Sequence, residues 1–288
     1  MSLQNSYPSL VIHYPSLTNM NYLLIVLFGL IIGSFLNVCI YRIPRDGSIM
    51  SPSRSYCPHC NHQLSALDNI PVFSYIFLRG KCRYCKVSIS PRYMIVELLT
   101  AGIFAFILYK GMSLHQSQFN VAMYILKACI FSAFLIVISF IDIEHEEIPD
   151  QVIYPGLIIG LLLMVYMSIM NKDIKLIAFS VLGAVAGAVV IILIAILGKA
   201  IFHKEAMGGG DITLMAMIGM YVGLWPSIPL TIILASILGS VVGMILIAFR
   251  KRNSDGHIPF GPFLSMGALI TMLYGNELWS FYKHLMRL

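Results

Sequence analysis

Apolar runs long enough to cross a bilayer recur along the whole chain, at 22–40, 93–109, 121–141, 152–170, 176–197 and 228–249. A bilayer core about 30 Å thick takes about 20 helical residues to cross. Six such runs in 288 residues leave little chain for anything else. Charged residues make up 11% of the sequence, against about 25% in an average soluble domain, so one large soluble core is excluded. Two further runs, 212–224 and 260–274, are shorter. They are read as spans as well, because a broken or cavity-lining helix can be short. The expected fold class is an all-α polytopic membrane protein with about eight transmembrane helices.

The net charge of +6 invites a nucleic-acid reading, and its distribution argues against one. Arg42, Arg45, Arg54, Arg79, Lys81, Arg83, Lys86 and Arg92 follow the first span; Lys199 and Lys204 follow the fifth; Arg250, Lys251 and Arg252 follow the seventh. With eight spans, these loops share one side. The other side holds Lys110, Lys172, Lys175, Lys283 and Arg287. The excess of Lys and Arg makes the first side cytoplasmic and puts both termini outside. Residues 1–20 have no Lys or Arg, so no cleavable signal peptide is expected and the first span serves as an uncleaved one. The organisation read from this pattern is an extracytoplasmic segment 1–21, a first transmembrane helix 22–41, a cytoplasmic loop 42–92, a transmembrane core 93–275 and an extracytoplasmic tail 276–288.

The loop 42–92 carries Cys57-Pro58-His59-Cys60 and, after 21 intervening residues, Cys82-Arg83-Tyr84-Cys85. Two Cys-x-x-Cys knuckles at this separation have the spacing of a four-thiolate zinc site. A loop this small lacks the apolar surface to fold unaided, so the metal would supply much of its folding energy. Two disulfides are the competing reading, disfavoured by a reducing cytoplasm. His59 and His62 are available as substitute ligands. A closed four-cysteine site offers no open position, so its role is structural. Cys39 and Cys129 lie in spans and read as small apolar residues.

Polar residues inside the spans mostly read as packing. Gly33-Ser34-Phe35-Leu36-Asn37, Gly183 with Gly187, and Gly239 with Gly243 are close-contact devices. Glu97 reads as an interface residue or the partner of a loop arginine. Lys127 reads either as a buried partner or as a snorkelling side chain.

Two acidic positions stand apart. The third span ends in Ile141-Asp142-Ile143-Glu144-His145-Glu146-Glu147-Ile148-Pro149-Asp150, where five of the chain's 13 acids crowd one turn without Lys or Arg. Met207-Gly208-Gly209-Gly210-Asp211 opens the sixth span. A carboxylate in lipid is costly and marks a candidate site; a helix cap is the plainer reading of Asp211. Asp142 and Asp211 are separated by two spans, and an even number of crossings returns the chain to the same face. Two aspartates held close share one proton. The ionised partner can take a proton from an attacking water while the protonated one donates to the carbonyl oxygen. The glycines leave room for an extended peptide backbone.

Gly208-Gly209-Gly210-Asp211 matches the G-x-G-D pattern of intramembrane aspartyl proteases, and the chain more specifically resembles the type IV prepilin peptidase family. The resemblance runs from about residue 22 to about residue 270. It rests on Gly33-Ser34-Phe35-Leu36-Asn37-Val38-Cys39-Ile40-Tyr41-Arg42-Ile43-Pro44, the two knuckles, Ile70-Pro71-Val72-Phe73-Ser74-Tyr75, Ile89-Ser90-Pro91-Arg92-Tyr93 with Val96-Glu97-Leu98-Leu99, the turn from Ile141 to Asp150, the glycine run, and Ile258-Pro259-Phe260-Gly261-Pro262-Phe263. It implies Asp142 and Asp211 as the catalytic pair, an active site at the cytoplasmic face of the bacterial inner membrane, and prepilins and type II secretion pseudopilins as substrates. It also implies methylation of the new N-terminus with S-adenosylmethionine, for which the sequence offers no G-x-G-x-x-G fingerprint; the zinc loop and Glu97 are the first place to look. Two positions depart from the family pattern: Glu144 stands where Asp is frequent, and Gly209 where an aromatic residue is frequent.

Substrate contacts are expected from Gly208, Gly209 and Gly210, and from Glu144, Glu146, Glu147 and Asp150, whose charge would draw in a basic leader. A proton- or cation-coupled transporter using Asp142 and Asp211 is the alternative from another class, and a zinc-loop scaffold without chemistry is a third. The expected partners are the prepilin substrates and membrane lipid, with no nucleic acid.

Overall fold

The structure is a computed structural model that describes residues 15–50, 54–114, 117–203, 208–249 and 258–286. Lys204, Met207, Arg250, Lys251, Arg252 and Arg287 lie outside the described residues, as do 1–14. The helices are α1 (Pro15–Arg42), α2 (Phe73–Phe77), α3 (Arg92–Met112), α4 (Gln118–His145), α5 (Asp150–Asn171), α6 (Lys175–Phe202), α7 (Gly209–Val222), α8 (Ser227–Ala248) and α9 (Gly261–Leu285), with 3-10 turns at Ile43–Arg45 and Ala66–Asn69. Among the described residues no strand forms; the loop between α1 and α3 has only isolated bridges.

Six of these helices (α1, α3, α4, α5, α6 and α8) are long and apolar enough to cross a membrane. Among the described residues, length and composition thus show six of the eight expected spans, and α7 and α9 fall short of that measure. α7 has 14 residues, about 21 Å of helix against a core of about 30 Å. α9 has 25 residues, but its second half carries Asn276, Glu277, Lys283 and His284.

α7 can be short because protein rather than lipid surrounds it. Leu214, Met215, Met217 and Ile218 have no exposed surface. Against α6 the backbones touch: a Cβ on Gly183 would collide with the Gly219 carbonyl oxygen, and one on Gly187 would lie 2.5 Å from that of Met215. The other end of α7 rests on Lys127, whose Nζ donates to the Tyr221 carbonyl at 3.2 Å. The last carbonyls of a helix lack intrahelical donors and carry its negative pole. Of the two readings of Lys127 the buried partner holds and the snorkelling chain does not, the partner being a backbone carbonyl: Lys127 caps α7. The Tyr221 hydroxyl donates to the Gly156 carbonyl at 3.1 Å, and its ring stacks on Phe131 at 4.6 Å. Lys127→Met is expected to lower the thermal midpoint in detergent by removing a charged hydrogen bond worth about 1.5–3 kcal/mol. Lys127→Arg retains the donor and should restore it.

α1 and α3 pack through a Gly-x-x-x-Gly stripe. A Cβ on Gly29 would lie 2.6 Å from the Ala101 Cα, and one on Gly33 2.7 Å from the Glu97 Cα. Packing is therefore the role of Gly33, as its sequence context suggests. Because α5 and α6 both have spanning length, the end of α4 and the start of α7 fall at one face.

Candidate active site and metal centre

The loop between α1 and α3 is built from one turn used twice. Cys57 donates its N–H to the His62 carbonyl (3.0 Å) and accepts that of Asn61 (2.8 Å); Cys82 donates to Val87 (2.9 Å) and accepts that of Lys86 (3.0 Å). Asn61 and Lys86 both turn through positive φ, at 53° and 62°, and each knuckle closes with a bridge, Tyr56 to Gln63 and Lys81 to Ser88. The Sγ atoms of Cys57, Cys60, Cys82 and Cys85 lie within 4.8 Å of one another, with Cys57 and Cys85 3.8 Å apart. Four sulfurs about 2.3 Å from one zinc stand about 3.8 Å apart at the corners of a tetrahedron. The four thiols are free, not paired as disulfides. The donor set fits zinc, and neither His59 nor His62 belongs to it; the His62 ring lies over Tyr84 at 3.6 Å. The Cys85 amide, hydrogen-bonded to the Cys82 sulfur, draws the Cys82 thiol down to about 7; at Cys85 the Val87 amide also lowers the thiol, but burial and the neighbouring thiols outweigh it and push it up to about 11.

Asp68, between the knuckles, ties them together. It pairs with Arg83 at 2.6 Å and accepts from Ser65 and the Tyr84 hydroxyl. Burial opposes the Asp68 charge, but the Arg83 and Ser65 hydrogen bonds outweigh it and hold the carboxyl at about 2. A carboxyl lowered on folding stabilises the fold above its unfolded value, so this contribution is complete at neutral pH and fades as pH falls from 3.8 toward 2.

Glu97 fastens this module to α3, not through a loop arginine but by accepting the Val72 N–H at 2.7 Å. Val72 has φ 64° and ψ −51°, and the next residue's N–H returns to the Pro71 carbonyl at 2.6 Å. That is a γ-turn of the rare positive-φ form, strained for a β-branched residue. Between module, α1 and α3 lies a cavity of about 400 Å3 lined by Asn37, Tyr41, Arg42, Tyr75, Tyr93 and Glu97 among others. Asn37 donates to the Tyr93 carbonyl at 2.9 Å, while its buried Oδ1 has no hydrogen-bond partner among the described residues.

Asp142 and Asp211 are both buried at the ends of their helices. The Asp142 Oδ2 accepts the Gly261 N–H, at the start of α9, at 2.9 Å. Asp211, in the first turn of α7, accepts the Gly208 N–H at 3.2 Å. Ile148 is wedged between the two helix starts. A Cβ on Gly210 would lie 2.8 Å from the Ile148 Cβ; one on Gly261 would lie 3.3 Å from its Cδ1 and 2.5 Å from the Asp142 Oδ2. One chain of contacts thus links the two carboxylates: Asp142, Gly261, Ile148, Gly210 and Asp211.

Ile148 and Gly210 also form part of the wall of a groove of about 700 Å3 that includes Asp46, Glu147, Asp150, Gly209 and Thr213. Of the acidic turn, then, Glu147 and Asp150 face this groove. Glu146 caps α4, and Glu144 pairs with Arg92 of α3. Among the described residues nothing lies within 4 Å of where a Cβ on Gly209 would stand, so the departure at this position costs no packing against them. Sequence reasoning missed Asp46, although an acid in a loop otherwise rich in Arg and Lys was a visible signal. The Gly261 amide had no signal beyond its proline-flanked segment.

Six long apolar helices, a four-cysteine loop and two buried carboxylates at one face define a polytopic membrane protein with a module whose sulfur geometry fits a metal beside a carboxylate site. The sequence matches the bacterial peptidase A24 N-terminal domain over residues 27–111 and the type IV leader peptidase family over residues 129–244. It is 35% identical over 282 residues to a prepilin leader peptidase/N-methyltransferase of Aeromonas hydrophila, covering 90% of this chain and 92% of that one. It is 33% identical to proteins of the same name from Stutzerimonas stutzeri, over 91% of this chain and 94% of that one, and from Pseudomonas aeruginosa, over 89% and 91%. No solved structure matches. The chain belongs to the type IV leader peptidase family.

Proposed function

We propose that this chain is a membrane aspartic endopeptidase that removes the basic leader of type IV prepilins and type II secretion pseudopilins. It would cut after a glycine at the cytoplasmic face of the bacterial inner membrane and then methylate the new N-terminus. The observation that carries the peptidase reading is the contact chain joining Asp142 to Asp211 behind the acidic groove. One aspartate takes a proton from water as its oxygen attacks the scissile carbonyl, and the other donates a proton to the carbonyl oxygen. Collapse of the tetrahedral intermediate with proton transfer to the departing nitrogen yields a carboxylate and a free amine. The Gly261 amide occupies one Asp142 oxygen and orients the carboxyl; the open space at Gly209 leaves the backbone accessible.

Gly261→Ala should therefore lower kcat by about 100-fold, the cost of a displacement near 1 Å at a reacting group, with KM little changed. Asp46, Glu147 and Asp150 place negative charge where a basic leader would lie. Neutralising all three as Asn, Gln and Asn should raise KM for a basic leader and spare a neutral one; equal effects on both would remove the leader from the groove. The peptidase reading itself is tested by incubating purified, zinc-loaded protein with a prepilin-type substrate. Release of the leader after its glycine supports it. An uncut substrate, with proton or cation flux in proteoliposomes, would favour the transporter.

For methylation, the cavity beside the zinc module has a volume within the range of ligand sites and the unpartnered Asn37 Oδ1 inside it. S-adenosylmethionine supplies an electrophilic methyl group when bound. Asn37 and Glu97 would present acceptors to it, with Tyr41, Tyr75 and Tyr93 offering apolar rings. Asn37→Leu should reduce methyl incorporation about 10-fold or more, the cost of a lost hydrogen bond to a charged ligand, while leader removal persists. A parallel fall in both would place the methylation site elsewhere.

A further inference from the structure

The module between α1 and α3 wears its polarity the wrong way round for water. On α2, Ser74 and Tyr75 face the cavity, while Phe73, Ile76 and Phe77 are 53%, 58% and 81% exposed. Leu67, on the preceding 3-10 turn, is 66% exposed. Such a concentration of large exposed apolar side chains on a small module marks an interaction surface.

The depth of α2 identifies what covers it. α3 has 21 residues, about 31 Å of helix, which matches the hydrocarbon thickness, so Arg92 stands at one edge of the bilayer. Glu97 lies about 7.5 Å further in, and it holds the Val72 amide at 2.7 Å, immediately before α2. At that depth α3 itself exposes Ile95, Leu98 and Leu99, the stripe a spanning helix turns to lipid. Arg79 and Lys81 follow α2 directly and are exposed, as interfacial anchors are. The loop 42–92 has only Asp46 and Asp68 as acids, and Asp68 is neutralised by Arg83.

We propose that α2 is an interfacial anchor, with Phe73, Ile76 and Phe77 immersed at the acyl boundary of the leaflet and Arg79 and Lys81 on anionic headgroups. The zinc module is held against the bilayer at two points, the Glu97 bond and the face of α2, and its cavity stays at the membrane surface. This rests on α3 crossing the membrane and not on the peptidase reading.

The test uses full-length protein carrying Trp225→Phe and Trp279→Phe, which replace both native tryptophans, together with Phe77→Trp as the reporter. It is reconstituted with its zinc in vesicles of phosphatidylcholine and phosphatidylglycerol. Blue-shifted emission, quenching by phospholipids brominated near the headgroup end of the chain and poor quenching by acrylamide are expected. Adding Arg79→Gln and Lys81→Gln should weaken the lipid quenching in anionic vesicles and not in phosphatidylcholine alone. Ile76→Trp gives an independent reporter should Phe77→Trp lose zinc. Emission typical of water with free access to acrylamide would overturn the proposal. Protection that arises only when a prepilin-type peptide is added would also overturn it, assigning the face to substrate instead.

Discussion

Replacing either Asp142 or Asp211 with asparagine is expected to abolish leader cleavage, a loss of about 10³-fold or more, while the fold is kept. The substitution removes the ability to exchange a proton and little else. In Asp142→Asn the side-chain amide oxygen would still accept the Gly261 N–H, as the Asp142 Oδ2 does at 2.9 Å. In Asp211→Asn the amide oxygen would still accept the Gly208 N–H across the first turn of α7, as the native carboxylate does. Zinc content and thermal midpoint should match wild type, and single-turnover rates carry the whole effect. A variant that loses zinc or helicity along with cleavage would point instead to a structural role for that carboxylate.

Removing zinc should unfold the module between α1 and α3 while the helical core persists. Among the described residues between Ile43 and Val96, the only buried apolar side chains are Cys57 and Cys82, which are themselves ligands. These residues offer no hydrophobic core to fall back on. Structural zinc in small modules contributes about 10–16 kcal/mol, far more than the Asp68–Arg83 pair and the Glu97 anchor can replace. A strong chelator, or Cys57→Ser with Cys82→Ser, should open the segment 54–91 to protease, release one zinc per chain and eliminate methyl incorporation. Persistent protease resistance without metal would show that the module is held by something else.

Much of this was legible in the sequence because the relevant signals were local. Spanning runs, Cys-x-x-Cys spacing and the even number of crossings between Asp142 and Asp211 depend on residue type and order alone. Legibility failed where a residue's role depends on a partner far away in the chain. The pairing of Glu144 with Arg92 of α3 was not visible in the acidic turn itself. Lys127 was ambiguous because its partner is a backbone carbonyl, which no pattern of side chains announces. Gly261 was hidden for the same reason. The length of α7 was not legible either, because it is short for a reason set by its neighbours. The glycines of α6 let it lie inside the bundle, where the bilayer thickness no longer dictates its length.

The central claim is that Asp142 and Asp211 act as one unit, and a double-substitution cycle tests it most directly. Single-turnover cleavage of a prepilin-type substrate is measured for wild type, Asp142→Asn, Asp211→Asn and the double variant, each with zinc bound and helicity intact. Groups that share one proton are strongly non-additive, so both single variants should be as inactive as the double. Cleavage retained by either single variant, or losses that multiply in the double, would contradict the shared site.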